Sequence, residues 1–429
     1  MSQRITLSDN RILHFGYCFI LCLWVLPSGS VLNVPVKPII YLLFLSVLLV
    51  SLVLRNSFRY SKGFIILLFS LLPLSIWALY GIMNGFAQST AKILVSFVSL
   101  LLIVFISLIY LDNYSNEQSL RLIIKCLYIS TFVFILFKII LEALLFFGVL
   151  SGYQCKDLFR RVLNSSVMTY TMRIGRGTFC RFSTPNDTIP LLILSYDLAV
   201  RNRNLSFRIA QFFLFGLYVL IVFSRLYILQ FVLVYLFCGF ILAHSSRRKL
   251  SYWMVIATAA IVVLIAVVII QPQWFDQYFK TIIASRFSGT SVQQSDSIRT
   301  TQIVYLWDAV KSRPFFGYGL GAYLKDYIRS SSSPASYEAE YLSFLLQFGI
   351  VGFCLIILPM ISVFYLESVR KTTVPKIRLV ILFNFAIWAV KPFFNPQFLS
   401  SCSGTLVSAL FILAVYSMYS NKFAAIPDQ

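Results

Sequence analysis

The chain has 429 residues, 59% of them hydrophobic and 12% charged, and its mean hydropathy is +0.84. A soluble domain of this length needs far more polar surface, so that class is excluded. The net charge of +21 raises a nucleic-acid reading. The basic residues are dispersed between apolar runs rather than gathered on one face, however, so no nucleic-acid partner is expected.

Apolar runs of about 20 residues, enough to cross about 30 Å of hydrocarbon as helix, recur along most of the chain. None shows the period-2 alternation of a membrane barrel. The expected fold is therefore an all-α polytopic membrane protein of about twelve helices, a single integral-membrane domain over 1–429. Spans are predicted near 12–27, 37–54, 63–83, 91–111, 122–150, 188–200, 209–224, 226–244, 252–270, 340–366, 377–392 and 399–419. The run 188–200 is short and carries Pro190 and Asp197, so it is either a crossing or a re-entrant segment. The polar start, Met1 to Asn10, precedes a span without a small-residue cleavage site and is read as retained.

Lys and Arg in the short loops set the orientation. Arg55, Arg59 and Lys62, then Arg121 and Lys125, then Arg201, Arg203 and Arg208, then Arg370, Lys371, Lys376 and Arg378 gather on one side. The opposite short loops carry Lys37, Lys92, Arg225 and Lys391. Both termini are thus expected in the cytoplasm, and two long loops, 151–187 and 271–337, on the outer face. Loops of that length are usually functional. In the second, Ile303, Leu306, Trp307 and Val310 recur at helical spacing between Ile298 and Arg313, which predicts an amphipathic helix on the membrane surface. Pro314 ends it, and Gly317, Gly319 and Gly321 predict a flexible turn. A Ser-rich stretch then leads to Glu338 at the mouth of the tenth span.

The inventory for chemistry is small. His14 and His244 fall at cytoplasmic helix ends and read as interfacial. No Cys/His cluster has zinc spacing and no tight carboxylate pair suggests a divalent ion, so neither metal nor cofactor is expected. GYGLG at 317–321 lacks the strand and the Lys-Ser/Thr of a nucleotide loop. Cys155 and Cys180 share the first long loop, where a disulfide is open but not decided by sequence. Asp157, Asp187, Asp276, Asp296, Asp308 and Asp326 sit among polar residues and read as solvated. Glu338 and Glu340 lie where the chain enters the bilayer. A carboxylate at that depth is partly desolvated, which makes it a better base; the alternative is an ordinary acidic helix start. Lys138 and Glu142, four apart on one helix, read as a structural pair. Arginines are abundant on the outer side, among them Arg160, Arg161, Arg173, Arg176, Arg181, Arg286, Arg299, Arg313 and Arg329, with Arg225 in the turn FSRLY. Singly each can contact headgroups; as a set they suit a phosphate-bearing substrate, which guanidinium pairs bidentately.

The stretch from Arg286 to Phe353 resembles the O-antigen polymerase and ligase superfamily. It carries Arg286, then Arg299 and Trp307 on the predicted surface helix, then Pro314, Gly317 and Gly319. Glu338, Tyr341, Leu342, Gly349 and Gly352 follow in the same order. GTFCRFSTPNDT at 177–188 and SRLYIL at 224–229 are also similar. Ligases of this superfamily carry histidine where this chain has Glu338, whereas its polymerases often carry an acidic residue there.

The resemblance implies a metal-independent, inverting glycosyltransferase of the GT-C class, an O-antigen polymerase in the bacterial inner membrane with its site facing the periplasm. Donor and acceptor would be undecaprenyl-diphosphate-linked glycans held among membrane lipid, and a separate chain-length regulator protein is expected. Glu338 would deprotonate the acceptor. Arg286 and Arg299, then Arg225 and Arg181, then Arg176, Tyr341 and Glu340, would bind substrate. A ligase shares the fold and the arginines. A polysaccharide transporter or flippase predicts charges lining a path through the bundle and short loops on both sides.

Overall fold

The structure is a computed structural model; it describes residues 8–26, 31–32, 34–56, 59–161, 171–174, 177–201, 204–222, 224–241, 290–328, 333–393, 398–399 and 401–424. Apolar sequence becomes helix at eleven of the twelve expected spans, and the twelfth, 252–270, lies outside the described residues. The first helices are α1 (Ser8–Cys22), α2 (Val36–Arg55), α3 (Lys62–Met83), α4 (Ala87–Asn113) and α5 (Glu117–Phe146). After α6 (Gly152–Arg161) come strands β1 (Thr171–Ile174) and β2 (Gly177–Cys180), then α7 (Thr188–Val200), α8 (Leu205–Val222) and α9 (Arg225–Val234). The chain continues with α10 (Thr290–Ser312), α11 (Glu340–Gly352), α12 (Leu358–Tyr365), α13 (Pro375–Val390) and α14 (Ser401–Ala424). Six helical stretches among the described residues are long and apolar enough to cross a membrane, and four shorter ones are apolar. The protein is a multi-pass, all-α membrane protein.

Two compact units divide the chain: Met1–Ser30, Val34–Leu127 and Ile298–Gln429 form one, and Val31–Asn33 with Tyr128–Ser297 the other. In the first, α4 is the central helix, with α2, α3 and α14 against it. Its residues from Ser99 to Leu111 are all buried. Small residues let α14 approach: a Cβ on Gly404 would collide with Ile103, and Ser107 bonds Ser408 at 2.8 Å. Such contacts replace hydrophobic burial as the glue between membrane helices.

The turn after α10 is a clamp rather than the flexible turn expected from its glycines. Tyr318 and Gly319 donate their N–H groups to Leu346 and Gln347 carbonyls, and Leu320 donates to Trp77 O, each at 2.9 Å. Thr90 Oγ1 and Trp77 Nε1 close it from α4 and α3. Gly319, at φ +94°, lies against the backbone of Gly81, and Gly349, at φ +61°, against that of Phe315. Any Cβ there meets main chain, so glycine is required for close approach as much as for positive φ. Gly349 breaks α11 in the same place.

In the second unit, α7 is buried along Thr188–Ala199. Thirteen residues rise about 20 Å, which is short for a crossing exposed to lipid, and protein encloses this helix instead. Arg208 on α8 bonds Asp197 at 2.6 Å, and Tyr128 and Gln211 also bond that carboxylate. The 151–187 segment holds more structure than its sequence predicted. Its two strands pair antiparallel, Thr171 opposite Cys180. Leu141, Leu145, Cys155, Phe159, Cys180, Phe182 and Ile221 form one buried cluster.

Candidate active site

Amphipathic α10 begins at Thr290, eight residues before the predicted start. Along one of its faces, Arg299, Gln302, Leu306 and Val310 recur every three or four residues. Leu306 and Val310 pack with Tyr337, Ala339 and Leu346, while Ile303, at 44% exposure, and Trp307, at 47%, remain outside. One apolar pair therefore anchors the helix to protein, and the other is free to meet lipid.

This packing delivers Arg299 to the turn that starts α11. Its guanidinium pairs with the Glu338 carboxylate, and Glu338 N–H donates to Gln302 Oε1 at 3.0 Å. Gln302 is buried, and its amide nitrogen lacks a hydrogen-bond partner among the described residues. Tyr337, one residue earlier, is fixed by accepting Leu324 N–H at 2.7 Å; burial pushes its hydroxyl up to about 12. Glu338 and Glu340 take different surroundings, as their two-residue separation at a helix start requires. Buried Glu340 accepts the N–H groups of Phe398 and Leu399 at 2.8 and 3.3 Å. Tyr341 donates to Ala389 O at 2.8 Å and packs its ring against Phe393.

A second group forms in the other unit. Phe182 N–H donates to Ile221 O and Arg181 Nε to Val222 O at 3.3 Å. Arg181 is thereby held at the α8–α9 turn, where Arg225 opens α9. The anchor beneath is a buried ion pair that sequence spacing missed. Lys138 bonds Asp187 at 2.5 Å and donates to Phe182 O at 3.0 Å. Tyr218 and Thr184 N–H supply the remaining partners of Asp187. This overturns both the Lys138–Glu142 pair and the solvated reading of Asp187, which is fully buried. Glu142 instead accepts Cys180 N–H at 2.9 Å. Desolvated Asp187 needs a cation more than the helical neighbour does. The acidic residue three after Thr184 was the available signal, because it reads as a helix-start cap.

The structure thus brings Arg299 together with Glu338 and, separately, Arg181 to the turn before Arg225. Arg286, Arg176 and Arg329 lie outside the described residues. Among the described residues no group of three or more His, Cys, Asp or Glu residues could hold a metal ion. No curated protein and no solved structure matches the chain. A family model described as O-Antigen ligase matches residues 210–357, a stretch that contains Arg225, Arg286, Arg299, Glu338, Glu340 and Tyr341. The matched stretch, about a third of the chain, is consistent with the resemblance of its motifs to the O-antigen polymerase and ligase superfamily.

Proposed function

We propose that the chain is an O-antigen polymerase of the bacterial inner membrane. It would move a growing glycan from undecaprenyl diphosphate onto a lipid-linked repeat unit at the periplasmic face, both termini being cytoplasmic. The observation that carries this reading is the Arg299–Glu338 pair at the start of α11, inside the family-matched region. A base and a phosphate-binding cation are the two groups that metal-independent transfer requires.

Glu338 takes the proton of the acceptor hydroxyl. The acceptor oxygen then forms its bond to the anomeric carbon as the bond to diphosphate breaks, with inversion. The diphosphate leaves with the bonding electrons, and arginine stabilises that charge as it develops. In the resting protein Arg299 and Glu338 are paired. A diphosphate competing for Arg299 weakens that pairing, which couples donor binding to the carboxylate's readiness to accept a proton. The resemblance also implies substrate binding by Arg286, Arg225 and Arg181, and no metal or cofactor is required.

The ligase reading is disfavoured because Glu338 stands where ligases of the superfamily carry histidine. The chain's two histidines are His14 and His244, and His14 is bonded to Tyr110 at 2.5 Å. Purified protein given the lipid-linked repeat unit in excess EDTA is expected to build chains and release undecaprenyl diphosphate. Activity that vanishes with EDTA and returns with a divalent ion contradicts the metal-independent mechanism.

A further inference from the structure

Two helices of the first unit present polar stripes that face one cavity. On α4 the stripe is Ser89, Lys92, Ile93 and Ser96; on α11 it is Glu340, Ser343, Phe344 and Gln347. Both follow i, i+3, i+4, i+7, the spacing of one helix face. The 333–337 turn supplies the third wall of this half-open cavity, whose volume is about 260 Å³. Hydroxyl, amide and carboxylate groups on membrane helices are costly against lipid and are placed against protein or a polar cavity.

The floor is rigid. Gln347 donates to Ser343 Oγ at 3.0 Å and accepts Gly321 N–H at 2.8 Å, which ties it to the glycine clamp. Glu340 is held by the backbone at Phe398 and Leu399. Lys92 and Ser333 are exposed at the mouth. Hydroxyls and a lysine therefore surround a partly aromatic wall, Tyr337 and Phe344. A sugar ring has the matching chemistry, hydroxyls at its rim and C–H groups on its faces. A polyisoprenyl tail has no use for these polar groups.

We propose that this cavity binds one glycosyl unit of the substrate, beside the turn that carries Glu338. The assignment rests on the glycosyl-transfer reading of the site. Full-length protein carrying Ser336→Cys or Ser96→Cys would be treated with a maleimide and the modified peptide quantified by mass spectrometry. The probe is the repeat-unit oligosaccharide released from its carrier lipid by mild acid. It is expected to slow labelling several-fold at both positions and to leave Ser312→Cys, exposed at the end of α10, unchanged. Adding Ser96→Trp to Ser336→Cys should abolish the protection while the thermal unfolding midpoint is retained. Unchanged labelling, or protection by phosphatidylglycerol vesicles instead of the oligosaccharide, overturns the proposal. A gene deletion that leaves the lipopolysaccharide ladder normal contradicts the glycosyl-transfer reading itself, so the two failures are read separately.

Discussion

Replacing Glu338 by alanine removes the proposed base, whereas replacing Arg299 removes the proposed cation. The two variants should therefore fail differently. Loss of a general base costs about 100- to 10,000-fold in turnover, and loss of one donor to the leaving group about 100- to 1000-fold. Glu338→Ala is expected to lower kcat with little change in KM for the lipid-linked donor, and Arg299→Ala to affect both. Equal and small effects on kcat would remove this pair from the mechanism. Cys155 and Cys180 give a pH test. Burial, then the charge of Glu142, pushes their thiols up to about 11 and about 12. A raised thiol pKa means scarce thiolate at neutral pH, and the thiolate is the reacting form. Iodoacetamide should leave both residues unmodified at pH 8 in the folded, reduced protein, with alkylation rising as pH approaches 11. Rapid modification at pH 8 would show that the cluster is open.

At the scale of elements, the glycine clamp decides where α10 and α11 meet. Gly319 and Gly85 both have positive φ, but a Cβ at Gly85 meets nothing within 4 Å, while at Gly319 it meets Gly81 backbone. Gly85→Ala should cost only the strain of the left-handed region, about 1 kcal/mol. Gly319→Ala must also separate two chain segments, and a much larger fall in the thermal unfolding midpoint is expected in detergent. Equal midpoints for the two variants would mean that the clamp is not tight. Periodicity located α10 and the long helices because their signal is local. The clamp was not legible, because three glycines in five residues look the same whether they bend freely or lie against a distant backbone. The same limit hid Lys138–Asp187: spacing reveals neighbours on one helix, and that pair joins residues 49 apart in sequence.

For the whole molecule, hydropathy and charge revealed the class and the helix order, while the stretch in which Arg299 meets Glu338 was singled out by its resemblance to the superfamily. They did not reveal the hairpin at 171–180, whose pairing is fixed by contacts across the fold, nor the enclosure of α7. The residues proposed for chemistry fall in both units, Arg181 and Arg225 in one and Arg299 with Glu338 in the other. The most direct test of the polymerase assignment is a lipopolysaccharide gel comparing the intact gene, its deletion, and the deletion complemented with Glu338→Ala. The account predicts that the deletion leaves lipid A core with a single repeat and no ladder, and that Glu338→Ala, normally expressed, fails to restore it. Core without any repeat, alongside polymer retained on the carrier lipid, would identify a ligase and contradict the assignment.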